Sequence, residues 1–180
     1  MGRTLPGRAW LRGRAFETFY RLPAHWRRRI IRLGTAKYIV GAVVLLRQSG
    51  APEPGRLLLL HQPPRRGWSL PGGLLKRGEA PVVGAARELY EETGVRVDPA
   101  ELTAATPNAQ VHNRGRWIDM VFEARVPAEA QLHVDGAEVH EAAWHPLDAL
   151  PQLTTPTANL LAQYGIGPLA KRSLAEPPAS

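Results

Sequence analysis

The spacing of apolar positions changes near residue 37. Before it, apolar residues recur every three or four positions. In "RAWLRGRAFETFYRL", Leu11, Ala15, Phe19 and Leu22 fall at helical spacing, with Gly13 a weak point. Pro23 breaks or restarts that helix. In "PAHWRRRIIRLG", Trp26, Ile30 and Leu33 form one stripe, arginines fill the other positions and Gly34 supplies a stop. Two short helices are therefore expected within residues 1–36. From Lys37 the pattern reads as strand. "KYIVGAVVLLRQ" is β-branched and apolar, which predicts a central strand. "SGAPEPG" is rich in turn residues, and "RLLLLHQ" predicts a second strand, so the two are expected to pair as a hairpin with an extended loop. "PPRRGW" reads as loop and "SLPGG" as a glycine turn.

A helix is expected from Pro81 to Thr93. Val82, Ala86, Leu89 and Thr93 give its buried stripe, Pro81 suits its first turn and Gly94 its C-terminal cap. "ELTAATPNAQVHN" and "RWIDMVFEARVP" both read as strands, joined by the turn "NRGR". A strand around Glu141–Trp144, a turn of helix at Pro146–Leu150 and a last helix in "TPTANLLAQYG" follow, with Thr155 or Thr157 as the cap. "KRSLAEPPAS" is expected to be a disordered tail. No internal repeat is visible.

Composition narrows the classes. The 180 residues suffice for one domain and a short appendage. No apolar run approaches the ~18 residues that a membrane span needs. The absence of cysteine excludes a disulfide scaffold, a thiolate nucleophile and a thiolate zinc site, and agrees with a cytoplasmic location. The net charge of +7 is uneven. Residues 1–36 hold nine arginines and a single acid, Glu17, so the arm carries +8 and the other 144 residues sum to −1. No apolar segment of secretory-signal length follows, and a transit peptide would contain serine, which the arm lacks. A basic amphipathic helix suits a membrane surface, a nucleic acid or a partner. The plainer alternative packs its apolar stripe on the domain or a second subunit and leaves the arginines in water.

The candidate chemistry lies in "RELYEETGV", Arg87 to Val95. Glu88, Glu91 and Glu92 stand at i, i+3 and i+4 and are expected to share the helix face opposite the apolar stripe. Each like-charge pair costs a few tenths of a kcal/mol on an exposed helix. A solvated face, or pairing with Arg87 or Lys76, would account for the cluster. A divalent cation is a further account, because Mg2+ prefers carboxylate oxygens and retained waters.

The residues ahead of the helix add to this. "LPGGLLKRGEAP" supplies Gly72, Gly73 and, at the mouth of the helix, Glu79. Gly73, five residues, Glu79, seven residues, then Arg87-Glu88-Leu89-Tyr90-Glu91-Glu92-Thr93-Gly94-Val95 resembles the Nudix box of the Nudix hydrolase family at every specified position. The resemblance extends from about residue 37 to 152. The arm (1–36) and tail (171–180) lie outside it, and residues 153–170 are expected to be a C-terminal helix packing on the domain.

That resemblance implies an α/β fold, a Nudix α/β/α sandwich with a mixed central β-sheet, here carrying an N-terminal basic helical arm. It implies that Glu88, Glu91 and Glu92 hold divalent cations, Mg2+ or Mn2+, that Arg87 orients a carboxylate with Glu79 its expected partner, and that Gly73 lends backbone groups to the metal site. Glu91 or Glu92 is the expected general base. Glu138 is the candidate for a further acid from a later loop, with Glu141 as runner-up. The implied reaction is hydrolysis of a pyrophosphate bond in a nucleoside diphosphate linked to another moiety, such as a nucleotide, oxidised nucleotide or nucleotide sugar. Arg65, Arg66 and Lys76 flank the site as candidate phosphate contacts, and Trp117 or Trp68 as a base-stacking surface. Val111 and His112 stand near where some subfamilies carry a Pro or Tyr marker, and the NADH-pyrophosphatase and coenzyme A signatures are missing. The alternatives are an RNA-directed Nudix enzyme that uses the basic arm and a non-catalytic nucleotide-sensing module. Oligomeric state is open; many relatives are dimers, so a homodimer is one option.

Overall fold

A computed structural model of the chain describes residues 8–112, 115–134 and 136–170. The expected tail and the first two residues of "NRGR" lie outside the described residues. The elements run α1 (Arg8–Arg21), α2 (Ala24–Gly34), β1 (Ile39–Gln48), β2 (Arg56–His61), β3 (Trp68–Ser69), β4 (Gly72–Leu74), α3 (Pro81–Thr93), a 3-10 turn at Pro99–Glu101, β5 (Thr103–His112), β6 (Trp117–Val126), β7 (Glu141–Pro146) and α4 (Thr155–Ala162). They fall into two units: one ends at Tyr38 and the other begins at Ile39.

Alternation along β1 builds the second unit. Ala42, Val44 and Leu46 point to one face and pack with Leu58, Phe122 and the α3 residues Ala85, Ala86 and Leu89. Leu45 points to the other face and packs with Leu57, Leu59, Val121 and the α4 residues Leu160 and Leu161. Helices thus cover both faces of one sheet. Each fully buried leucine contributes roughly 1.5–3 kcal/mol relative to exposure. The sheet has the order β3-β2-β1-β6-β5, with β4 on β1 and β7 on β2. β1 and β6 run parallel from Ile39↔Trp117 to Gln48↔Val126, and the other pairs are antiparallel. The sheet is therefore mixed, as the α/β/α expectation requires.

One edge of β1 is shared by two strands, and this creates the site. Arg47 pairs with Leu57 of β2, whereas Gly41, Ala42 and Val43 pair with Leu74, Gly73 and Gly72 of β4. The "SLPGG" turn is thus partly strand: its glycines continue into β4. Three other expectations shift. Glu101 belongs to the 3-10 turn and β5 starts at Thr103, with its register against β6 broken between Ala104 and Ala109, where Pro107 has no N–H to offer. The segment after Pro146 makes a single turn through Ala149 N–H to the Pro146 carbonyl (3.1 Å). The α4 cap is Thr154, whose hydroxyl accepts from the Thr157 N–H, and Thr155 opens the helix.

In the first unit, Pro23 separates the two helices: α2 starts directly after it. Among the described residues no helix is long and apolar enough to cross a membrane.

Candidate active site

Where α3 approaches β4, Gly72 and Gly73 present bare backbone. A Cβ on Gly73 would stand 2.5–2.7 Å from the carboxyl atoms of Glu88, so only glycine lets that carboxylate lie across the strand. The Gly72 N–H donates to Glu92 Oε2 (2.7 Å), and Gln62 Nε2 donates to Glu92 Oε1 (2.8 Å). Gln62 is oriented in turn, since its Oε1 accepts from Ser69 Oγ (3.1 Å) and Arg65 Nη1 (3.2 Å). Glu92 is consequently buried, at 9% exposure. This corrects the expectation that the three glutamates share the helix face opposite the apolar stripe: Glu91 faces water, Glu88 is partly covered and Glu92 turns inward under β4. Burial pushes the Glu92 carboxyl up to about 7, and the neighbouring Glu88 charge adds to the rise; the Gly72 N–H, Gln62 and Arg65 pull the other way.

Arg87 organises the remaining acids. Its Nε and Nη2 grip Glu79 at 2.8 and 3.0 Å as a bidentate pair, and its Nη1 donates to Glu88 (2.7 Å) and Glu91 (2.8 Å). Nη2 also reaches the Leu74 carbonyl (3.2 Å), which ties α3 to the end of β4. The Arg87 bonds, helped by the Lys76 N–H, hold the Glu79 carboxyl down to about 2. Glu79 raises the guanidinium in return. Lys76 reaches Glu91 only loosely, 3.7 Å across an exposed pair, and does not line the cleft. Below the cluster, Gly94 ends the helix at φ 73°, its N–H bonding the Tyr90 carbonyl (2.9 Å).

The donor set suits a hard cation, since it offers only oxygen: the Glu88, Glu91 and Glu92 carboxylates and the backbone of β4. Three carboxyls, Glu79, Glu88 and Glu91, share the one Arg87 guanidinium, which leaves a negative excess. As placed, no three of His, Cys, Asp or Glu converge on a single point among the described residues. The hydrogen bonds say why: Arg87 draws Glu88 and Glu91 to its own side, while Gly72 and Gln62 hold Glu92.

Beside this cluster opens a cleft of about 480 Å³, walled by Gly41, Gly72 and Gly73, by Arg65 and Arg66, and by Trp117 and Asp119. Arg65, Arg66 and Trp117 thus meet in one cavity. Trp117 stacks on His112 (ring centroids 4.3 Å, 17°), so one of its faces is already covered. Trp68 packs on the His145 ring at 4.5 Å and does not line the cleft. Glu138 is exposed in the segment before β7, and Glu141 is exposed on β7; no hydrogen bond or ion pair joins either to α3 among the described residues.

Asp119 was missed by sequence reasoning. Its Oδ2 accepts from His112 Nε2 (2.9 Å) and Trp117 Nε1 (3.2 Å), which fixes the carboxylate. Its Oδ1 lies 3.1 Å from where a Gly41 Cβ would be, and the Gly73 carbonyl oxygen lies 2.9 Å from the same point. A side chain at 41 would fill the gap between them. A glycine inside an apolar strand signals a close approach of another group, and Gly41 in "YIVGAVVLL" was that signal.

The NUDIX domain family model matches residues 37–164. The chain belongs to the Nudix hydrolase family. Among its relatives, a MutT-like protein of Streptomyces ambofaciens is 48% identical over 56 residues, 31% of this chain and 36% of that one. The 8-oxo-dGDP phosphatase of Homo sapiens is 36% identical over 121 residues, 63% of this chain and 33% of that one. The match therefore spans about a third of each relative's length. Among solved structures, the MutT NUDIX hydrolase of Burkholderia pseudomallei superposes with a TM-score of 0.57 at 26% identity, covering 71% of this chain and 98% of that one. The Nudix box of this chain is the β4–α3 unit, and its glycines Gly72 and Gly73 line the cleft.

Proposed function

We propose that this Nudix domain hydrolyses the pyrophosphate bond of a nucleoside diphosphate derivative with Mg2+ or Mn2+ as the cofactor. The observation that carries the reading is the juxtaposition of an acidic cluster and a basic wall: Glu88 and Glu92 dock on the two glycines of β4, and the same glycines line a cleft that holds Arg65 and Arg66. Glu88, Glu91, Glu92 and the Gly73 backbone would hold the cation. Bound there, it would supply charge neutralisation for the pyrophosphate and a more acidic water.

The chain's own groups divide the remaining work. Arg65 and Arg66 bind phosphate oxygens and orient the chain of phosphates along the cleft. Arg87 keeps Glu79 ionised and aligns Glu88 through its Nη1 hydrogen bond. Glu92, fixed by two donors, is a positioned ligand. Glu91, half exposed and held by Arg87 and Lys76, is the freer carboxylate and takes the proton of the attacking water. In the cleft, across Gly41 from the Gly73 carbonyl, Asp119 offers an oriented acceptor. It suits a base that presents N–H donors, such as guanine or its oxidised form, in keeping with the 8-oxo-dGDP phosphatase among the relatives.

A panel of nucleoside di- and triphosphates, oxidised guanine nucleotides and nucleotide sugars, assayed with Mg2+ and with chelator, tests this. Turnover of guanine-type substrates that needs the cation and falls steeply in Glu91→Gln and Glu92→Gln is expected. Absence of turnover across the panel, or undiminished turnover in both variants, would sink the proposal.

A further inference from the structure

The nucleotide site leaves the arm unexplained. None of the residues of α2 is buried. Trp26, Ile30 and Leu33 recur at i, i+4 and i+7 on one stripe, at 50%, 46% and 89% exposure. Arg28 and Arg32 share the opposite face, and Arg27 and Arg29 flank the stripe. In α1, Trp10, Phe16 and Tyr20 are also exposed. The guanidiniums of Arg14, Arg27 and Arg29 lie 5.4–5.6 Å from the ring centroids of Trp10, Tyr20 and Trp26. Large apolar side chains and arginines thus alternate around the same short helices.

We propose that the arm is an interfacial anchor, laying α2 in the plane of an anionic phospholipid surface with Trp26, Ile30 and Leu33 in the acyl boundary. Charge complementarity favours this occupant: the arm carries +8 while the rest of the chain sums to −1, so attraction to a negative surface acts on the arm alone. The apolar stripe separates lipid from nucleic acid. A phosphate backbone would engage the arginines and leave Trp26, Ile30 and Leu33 in water. A lipid interface takes both: the stripe enters the hydrocarbon edge, and Arg27 and Arg29, flanking it, extend their heads to the phosphate level. Aromatic rings stacked with guanidiniums match that boundary, with an apolar body inside and a charge outside.

The full-length protein is mixed with phosphatidylcholine vesicles, with or without phosphatidylglycerol, and the bound fraction is read by sedimentation. Binding to the mixed vesicles and not to pure phosphatidylcholine is expected, weakening as salt rises from about 0.1 M to about 0.5 M. Ile30→Asp and Leu33→Asp should each lower vesicle affinity roughly tenfold or more. Nucleotide-substrate kinetics and the melting curve of these variants should match the wild type, which separates lost docking from lost folding. Failure to bind anionic vesicles, equal binding to both vesicle types, or unchanged binding in both aspartate variants overturns the proposal. So does an RNA oligomer that binds the arm while the vesicles do not, or self-association abolished by Ile30→Asp without vesicle binding.

Discussion

In metal-free protein, Glu92→Gln should raise stability, and only above a particular pH. The Glu92 carboxyl is pushed from its ordinary 4.5 to about 7, mainly by burial under β4. Below pH 4.5 it is protonated both folded and unfolded, so its burial carries no charge penalty. As pH rises from 4.5 to 7, the unfolded chain loses the proton first and stability falls; above 7 the penalty is complete. A rise of that size corresponds to about 3 kcal/mol. The substituted amide stays neutral at every pH, and the Gly72 N–H still finds a carbonyl oxygen. Gln62 must turn its own amide to accept from the new NH2 group, which disturbs its bonds to Ser69 and Arg65 and returns about 1 kcal/mol. The net gain is therefore about 2 kcal/mol at pH 8, or roughly 6 °C in melting temperature for a domain of this size. Thermal melts in chelator at pH 4 and pH 8 measure it. The variant should fall about 1 kcal/mol below the wild type at pH 4, where only the disturbed Gln62 bonds count, and exceed it at pH 8. A variant that is less stable at pH 8, or equally shifted at both pH values, would refute the placement of Glu92 as a buried, strained carboxyl. The same substitution should remove most of the cation-dependent activity, a gain in stability at the expense of function.

Other substitutions probe the neighbouring groups. Glu79 is held down to about 2 by Arg87, so its pairing stabilises the fold above pH 4.5 and is lost as pH falls toward 2; acid-unfolding curves of Glu79→Gln should be flatter than wild type across that window. Gly73→Ala places a methyl group on the Glu88 carboxylate, so the cation affinity read by calorimetry should drop at least tenfold, with a stability cost of about 1–3 kcal/mol in urea melts. Asp119→Asn keeps the bonds to one of its neighbours but turns an acceptor into a donor; it should raise KM for guanine-type substrates well above any effect on kcat, and equal effects on all bases would exclude a base-reading role.

Most of the fold was written in periodicities that survive without tertiary context. The break at residue 37, the β-branched apolar run of β1, the Pro81 start and the Gly94 stop all depend on local steric or hydrogen-bonding preferences. The Arg87–Glu79 pair was implied by the Nudix resemblance and is present in the structure. The burial of Glu92 was not. Helical spacing groups it with Glu88, and what separates them is an earlier strand, Gly72–Leu74, laid along one side of α3. Thr154 as the cap was hidden by three threonines within four positions, and only backbone geometry picks among them. Asp119 was illegible for another reason: a single acid in a strand carries no pattern, and its role comes from His112, Trp117 and Gly41, which pairing across β1, β5 and β6 brings beside it.

The central claim is that the carboxylates of α3, gathered against the glycines of β4, form a divalent-cation site. Binding of Mn2+ to the full-length protein, followed by the loss of the free-ion paramagnetic resonance signal, tests it most directly. Saturable Mn2+ binding, displaced by Mg2+ and weakened at least tenfold in Glu88→Gln and in Glu92→Gln, is the predicted result. A protein that leaves the free Mn2+ signal unchanged, or that binds equally well without either carboxylate, would contradict it.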